Sequence, residues 1–341
     1  MINISKKTIK ISIVLIIIIL AIFTISLGFG EVMVSPLEVL KSILGIDSGF
    51  SSILVMNIRL PRVIVAFFVG SSLALSGAIL QGVVKNHLAS PDILGIVNGG
   101  AVGALVFLTM FIDPKNNSLT TSILYMPLFT FAFSFIAVIL IFLISGKSTS
   151  TNKLIIIGIG VSAIFKALTN ILIINGPVIF IKEATTWITG SIYGVNWTHA
   201  IIIMVTFIFF TILTIIFTKD LNLHQLDDEV IIVLGNNLRK RRLILLSISA
   251  ALSAGAVTIG GGISFVGLIA PHIARKLVDS KFENITLLSI LIGGIITLIA
   301  DFVSKWLFYP QDLPIGIFTA SIGAPYFIYL LIKNRKYSKG R

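Results

Sequence analysis

A chain of 341 residues that is 56% hydrophobic and only 12% charged, with mean hydropathy +1.05, lies far from the composition of a soluble domain. At roughly 20 apolar residues per span, residues 1–341 are expected to form a single all-α, polytopic membrane domain of about ten transmembrane helices, with no separate soluble domain. The net charge of +12 does not point to nucleic acid, because the basic residues fall in short clusters between apolar runs. The absence of cysteine excludes a disulfide framework, a thiolate metal site and a cysteine nucleophile.

Lys6, Lys7 and Lys10 precede an apolar run from Ile11 to about Gly28. It is too long for a secretory signal and lacks a small-residue cleavage site, so it reads as a retained first span with a cytoplasmic amino end. Residues 31–58 suit an external loop with one short amphipathic helix. Arg59-Leu60-Pro61-Arg62 opens the second span, with Pro61 in the first turn, where its missing donor costs nothing. The two arginines oppose the helix macrodipole. They read either as headgroup anchors or as a basic patch for an acidic external partner. From Val63 to Gln81 the small residues Gly70, Ser71, Ser72, Ala74, Ser76, Gly77 and Ala78 mark a surface inside the bundle.

A polar break from Gly82 to Asp92 holds His87. None of the four histidines pairs at metal-ligand spacing, so no metal site and no cofactor is expected. A glycine-rich span from Ile93 to Met110, an external turn from Asp113 to Thr121, an inward span from Ser122 to Ser145 and an inner connection from Gly146 to Lys153 follow. The next span, Leu154 to Ile174, carries Lys166, the one basic residue well inside a span. Its charge would cost on the order of 3 kcal/mol in lipid, which makes it a candidate for the transport path, against the alternative that it snorkels or meets a backbone carbonyl. Asn175 to Trp197 reads as a polar external segment whose Trp187 and Trp197 suit a membrane interface.

Thr198 to Thr218 returns inward, and the longest cytoplasmic connection, Lys219 to Arg242, comes next. Within it Asp227-Asp228-Glu229, an apolar run from Val230 to Leu234 and Gly235 make a short amphipathic helix lying along the membrane surface. It serves either as a lipid-lying element or as a docking lever for a soluble partner. Arg239-Lys240-Arg241-Arg242 starts the seventh span. The eighth, Ile259 to Lys276, contains Gly260, Gly261, Gly262, Gly267 and Pro271. Such disturbances are tolerated in a bilayer only where protein or a water-lined path covers the released backbone groups, so this span is expected inside the bundle. The ninth, Ile285 to about Leu307, closes on Asp301 and Lys305, and the tenth, Ile315 to Ile332, leads to a basic tail.

The layout is tested by charge. About 19 of the 26 Lys and Arg fall on inner segments and about six on outer ones, with Lys166 between them, which supports the span count and two cytoplasmic termini.

Several stretches together resemble the permease subunits of ATP-binding-cassette (ABC) importers for iron-siderophore, haem and cobalamin, the FecCD type. They are Arg59-Leu60-Pro61-Arg62; Ser76-Gly77-Ala78 to Gln81; Asn86 through Leu88-Ala89, with Pro91 and Leu94-Gly95; Asp228-Glu229 with Leu234-Gly235; Phe265-Val266-Gly267-Leu268-Ile269-Ala270-Pro271-His272-Ile273-Ala274-Arg275; and Leu313-Pro314-Ile315-Gly316 with Gly323-Ala324-Pro325. They stand in the family's order over nearly the whole chain. The resemblance implies a ten-helix protomer in the cell membrane, pairing with an identical or homologous second protomer, an ABC ATPase on the inner face and an extracytoplasmic substrate-binding protein outside.

It also implies roles for individual residues. Arg59, Arg62 and Lys305 match positions that meet acidic residues of the binding protein; Asn86 and Leu88, with Thr151 and Asn152, match the inner gate. Leu226, Asp227, Asp228, Glu229 and Gly235, within a coupling segment of about 219–238, match the helices that seat in the ATPase. Two departures stand out: His87 replaces a usual proline, which adds a titratable group with an expected transport change near pH 6 to 7, and Asp227 replaces a usual glycine. The mechanism implied is alternating access driven by the ATPase, for ferric siderophore first and haem or cobalamin next.

The chain itself is not expected to be an enzyme. Gly146-Lys147-Ser148 lacks the upstream glycine of a phosphate-binding loop and follows a span. An ion-driven secondary transporter would call for carboxylates within spans and inverted repeats, and Asp301 comes nearest to the first of these. An intramembrane enzyme would call for paired catalytic groups at membrane depth, and none is evident.

Overall fold

The computed structural model describes residues 4–30, 32–46, 49–92, 94–113, 118–122, 125–146, 151–175, 181–226, 228–233, 237–279, 281–307 and 312–338. In chain order the helices are α1 (Lys6–Gly28), α2 (Pro36–Ile43), α3 (Phe50–Ile53), α4 (Leu60–Val84), α5 (Ile96–Phe111), α6 (Met126–Ser145), α7 (Thr151–Asn175) and α8 (Ile181–Thr189). They continue with α9 (Trp197–Ile216), α10 (Thr218–Leu223), α11 (Asp228–Val233), α12 (Leu238–Gly260), α13 (Val266–Leu277), α14 (Phe282–Leu307) and α15 (Ile315–Ser338). A two-residue antiparallel ladder, Ile112–Asp113 with Ser118–Leu119, closes the turn after α5.

Among the described residues, seven helical stretches are long and apolar enough to cross a membrane: α1, the run Phe50–Val84, α6, α7, α9, α12 and α14. α5 and α15 are shorter apolar helices, and with α13 they make up the ten of the sequence reading. Several boundaries differ from that reading. α1 begins at Lys6 rather than Ile11, because the Ser5 hydroxyl accepts the Thr8 N–H and caps it. The second span begins at Phe50, nine residues before Arg59, because α3 runs through a π-helical turn, Leu54–Arg59, straight into α4. α2 is the expected short amphipathic helix, started by Pro36 and by a capping box in which Ser35 and Glu38 bond each other's backbone.

α4 is the central helix, buried along most of its length and packed by α12, α13, α14 and α9. Small residues permit this. Ser76 Oγ lies 2.7 Å from the Ser249 carbonyl, 2.8 Å from Ser249 Oγ and 2.6 Å from Ser253 Oγ, so hydroxyls join α4 to α12. Thr297 Oγ1 donates to the Ala66 carbonyl at 2.7 Å across α4 and α14. Gly77 faces Gly267 so closely that a Cβ there would lie 1.8 Å from the Gly267 oxygen. Gly77→Ala is expected to force α4 from α13 at a cost of about 1–3 kcal/mol, read as a lower unfolding temperature of the purified protein. An unchanged melting curve would show that the two backbones do not touch.

The eighth span is not continuous. α12 stops at Gly260, residues 261–265 are irregular, and α13 restarts at Val266 with only 12 residues. At 1.5 Å per residue that is about 18 Å, short of the roughly 30 Å apolar core of a bilayer. The break is covered by α8, where the Trp187 carbonyl accepts the Gly262 N–H at 3.1 Å, and the Gly190 carbonyl, just after α8, accepts the N–H of Gly316 at the start of α15 at 3.1 Å. Gly261 has φ +65, and a Cβ on it would lie 1.9 Å from the Trp187 oxygen. The segment read as polar and external therefore supplies a helix that packs inward. Trp187 is partly buried against the cluster of Ala104, Phe107 and Met126. Trp197 Nε1 donates to the Met56 carbonyl at 2.9 Å.

Candidate coupling site and gate

The cytoplasmic connection folds as two short helices. α10 is tied to the start of α14, where Asn222 Oδ1 accepts the Phe282 N–H at 2.9 Å and Asn222 Nδ2 donates to Glu283 at 3.2 Å. Arg241 pairs with Asp220 at 2.9 Å, fixing α10 to α12. His224 sits buried behind α10, with Nδ1 2.7 Å from the Asp220 carbonyl.

α11 begins on Asp228, and Asp228 holds the site together. Arg242, only 2% exposed, reaches from α12 to both of its carboxylate oxygens at 3.0 Å. Lys85 Nζ approaches from the end of α4 to 2.6 Å of the same carboxylate and also donates to the Leu226 carbonyl. Lys85 adopts a left-handed backbone, φ 51, which ends α4 and turns its side chain to the connection. Burial pushes the Asp228 pKa up, but the Lys85 hydrogen bond and the charges of Arg242 and Lys85 outweigh it and hold the carboxyl below its ordinary value.

The next residue after Lys85 is Asn86, whose side chain accepts the Leu88 N–H at 2.9 Å while its carbonyl accepts the Ala89 N–H at 3.1 Å. The asparagine closes this turn by itself, so its shape does not require a proline at 87. Partial burial and the charge of Arg275 lower the His87 pKa below the ordinary histidine value. That direction favours the neutral ring over the charged one. Among the other gate and coupling residues, Asp227 and Gly235 fall outside the described residues; Thr151, Asn152 and Glu229 lie on helices, their side chains not described.

At the opposite end of α4 the expected patch takes another form. Arg59 is only 7% exposed: its guanidinium donates to the carbonyls of Leu27 at 2.7 Å, Gly28 at 3.1 Å and Val32 at 2.6 Å, closing the end of α1. The Arg59 guanidinium is thus occupied by the chain's own backbone carbonyls. Arg62 Nε bonds Asp301 at 2.9 Å and its Nη1 bonds Asp312 at 2.7 Å, while Lys305 Nζ lies 2.7 Å from the other Asp301 oxygen. Asp301 is buried, so Arg62 stands against the α4 dipole because a buried carboxylate needs it. Lys166 is exposed midway along α7, on a side that also presents Ala163, Ala167 and Asn170.

Lys85, Arg242 and Gln81 carried no role in the sequence reading. The charge reversal between Lys85 and Asp228 was the available signal, but 143 positions separate them.

A bundle of apolar helices crossed by a broken helix, with a short helix ion-paired to the turn that ends its central helix, has the build of a membrane permease. Residues 16–333 match the FecCD transport family. The chain is 41% identical over 92% of its length, and 92% of the relative's, to YfhA of Bacillus subtilis (strain 168), named as a siderophore transport system permease protein. It is 36% identical to the achromobactin transport system permease protein CbrC of Dickeya dadantii (strain 3937), covering 93% of this chain and 89% of that one. A solved structure of a metal-chelate type ABC transporter in an inward-facing conformation superposes with a TM-score of 0.80 at 31% identity, covering 95% of this chain and 99% of that one. The chain belongs to the FecCD family of ABC importer permeases, multi-pass proteins of the cell membrane.

Proposed function

We propose that this permease carries a ferric chelate of the siderophore class by alternating access, its ATP hydrolysis residing on a separate ATPase bound at α10 and α11. The substrate class is supported by relatives named for siderophore, achromobactin and iron-hydroxamate transport. The observation that carries the mechanism is the Lys85–Asp228–Arg242 network, which joins the surface lever to the turn holding Asn86 and Leu88. A displacement of α11 by the ATPase is handed to the gate through that network, because Lys85 and Asn86 are adjacent in the chain.

Residues 1–341 act as one membrane unit, with residues 219–238 as the lever and Thr151 and Asn152 at the gate. Arg62 and Lys305 form the outer docking surface for an acidic binding protein, their side chains 13% and 21% exposed. Lys166 faces the path between two protomers, since an exposed cation at mid-span is tolerable only where water or protein covers it.

The test is reconstitution in vesicles with ATPase and candidate binding proteins. ATP-dependent uptake of ferric siderophores is expected, and haem and cobalamin serve as alternative cargoes. Uptake without the ATPase would overturn the importer reading.

A further inference from the structure

On the cytoplasmic side of the gate turn, the inner ends of α4, α13 and α14 enclose a cavity of about 450 Å³ whose polar wall is Gln81, Lys85, His87, Gln225, Arg275 and Asp279. Its construction follows from Pro271. Proline has no N–H, so the Gly267 carbonyl, one turn back in α13, loses its helical partner. Gln81 of α4 replaces it: its Nε2 donates to the Gly267 and Leu268 carbonyls at 3.3 and 3.4 Å. With its amide fixed that way, Gln81 presents Oε1 to the guanidinium of Arg275, whose Nη1 donates to it.

Arg275 is thereby held at the cavity by a neutral group, and no carboxylate among the described residues pairs with it. Lys85 already meets Asp228. Asp279, the acid in the wall, is exposed, and Lys276 lies outward over the Tyr326 ring. His272, one turn before Lys276, has a buried Nε2 with no hydrogen-bond partner among the described residues. A guanidinium has five donors in a planar fork that matches an oxyanion, and a partly buried one without a counter-charge is costly to keep.

We propose that this cavity is an anion site, with Arg275 anchoring the carboxylate or phosphate oxygens of a compact polyvalent ligand and Lys85 and His87 at its rim. The site does not depend on the importer reading. Only the identification of its ligand as an acidic metal chelate leaving the gate rests on that reading.

The test uses the full chain in neutral detergent, without ATPase or ATP, at ionic strength matched with chloride so that general screening is constant. Unfolding temperature is read with citrate, inorganic phosphate, gallium(III) citrate and, as a neutral control, a ferric trihydroxamate. Saturable stabilisation of the wild type by the anions is expected, because a ligand that binds only the folded state raises its stability. Arg275→Gln is expected to melt at or above the unliganded wild type, since an uncompensated charge is removed, and to lose the anion-induced rise. Arg275→Lys keeps a smaller rise and serves as the second variant if the glutamine protein does not fold. A rise with both free and metal-bound citrate assigns the site to cytosolic anions; a rise with gallium citrate alone assigns it to the chelate. No rise in the wild type, an equal rise in Arg275→Gln, or an equal rise with the neutral hydroxamate overturns the proposal. Because no nucleotide is present, these results stand apart from any failure of ATP-driven uptake.

Discussion

Asp301→Ala is expected to destabilise the purified permease by about 3–5 kcal/mol, the cost of leaving buried cations without their counter-charge. Arg62 Nε and Lys305 Nζ both converge on Asp301, at 2.9 and 2.7 Å, and the carboxylate is itself 1% exposed. Arg62 retains Asp312 after the substitution, whereas the ion pair that the structure gives Lys305 is the one with Asp301. Asp301→Asn is expected to lose less, since an amide oxygen still accepts from Arg62 while giving up the charge. Replacing Arg62, Asp301 and Lys305 together by apolar residues of similar volume is expected to be near neutral, because a buried ion cluster and a well-packed apolar one differ little in net stability. Thermal or denaturant unfolding in detergent measures all three. If Asp301→Ala melts with the wild type, the cluster is solvated and its residues are ordinary surface cations. The same triple variant separates stability from docking: it is expected to fold yet bind the external binding protein more weakly.

The helical, polytopic build with about ten apolar helices was legible in the sequence because apolar length is a local property. The break at residues 261–265 was legible only as a surplus of glycine. Hydropathy does not register where a hydrogen-bond ladder stops, and the carbonyl that covers Gly262 comes from Trp187, 75 positions away. Residues 175–197 read as a polar loop because the short helix they contain is brief and polar, and the contact that holds it, with the broken segment, is distant in the chain. The motif around Arg59 and Arg62 was recognised, but the direction of Arg59 depends on the chain returning past the end of α1 to offer three carbonyls. Asn86 is the contrasting case. Its hydrogen bond to Leu88 spans two residues, so the turn survives His87 and follows from local chemistry alone.

The lever is where the second large effect is expected. Asp228→Ala removes the carboxylate shared by Lys85 and Arg242, and Lys85→Met removes the side chain that, among the described residues, ties that carboxylate to the proposed gate turn. In reconstituted vesicles each is expected to lower ATP-driven uptake by roughly 5–150-fold, the range spanned by a coupling free energy of 1–3 kcal/mol, while hydrolysis by the bound ATPase continues. Loss of hydrolysis together with uptake would mean that the ATPase no longer docks, and the network would then be a seat rather than a transmission. The double variant discriminates further. If Lys85 and Asp228 act through one another, Lys85→Met adds little to the defect of Asp228→Ala, whereas independent roles multiply the two losses. Acidification offers the same test without mutation. Asp228 is held below its ordinary pKa in the folded chain, so its contribution is present above the ordinary carboxylate value and disappears as pH falls through the lowered one. Coupling between hydrolysis and uptake is therefore expected to be flat from pH 6 to 8, an interval that lies wholly above the ordinary carboxylate value.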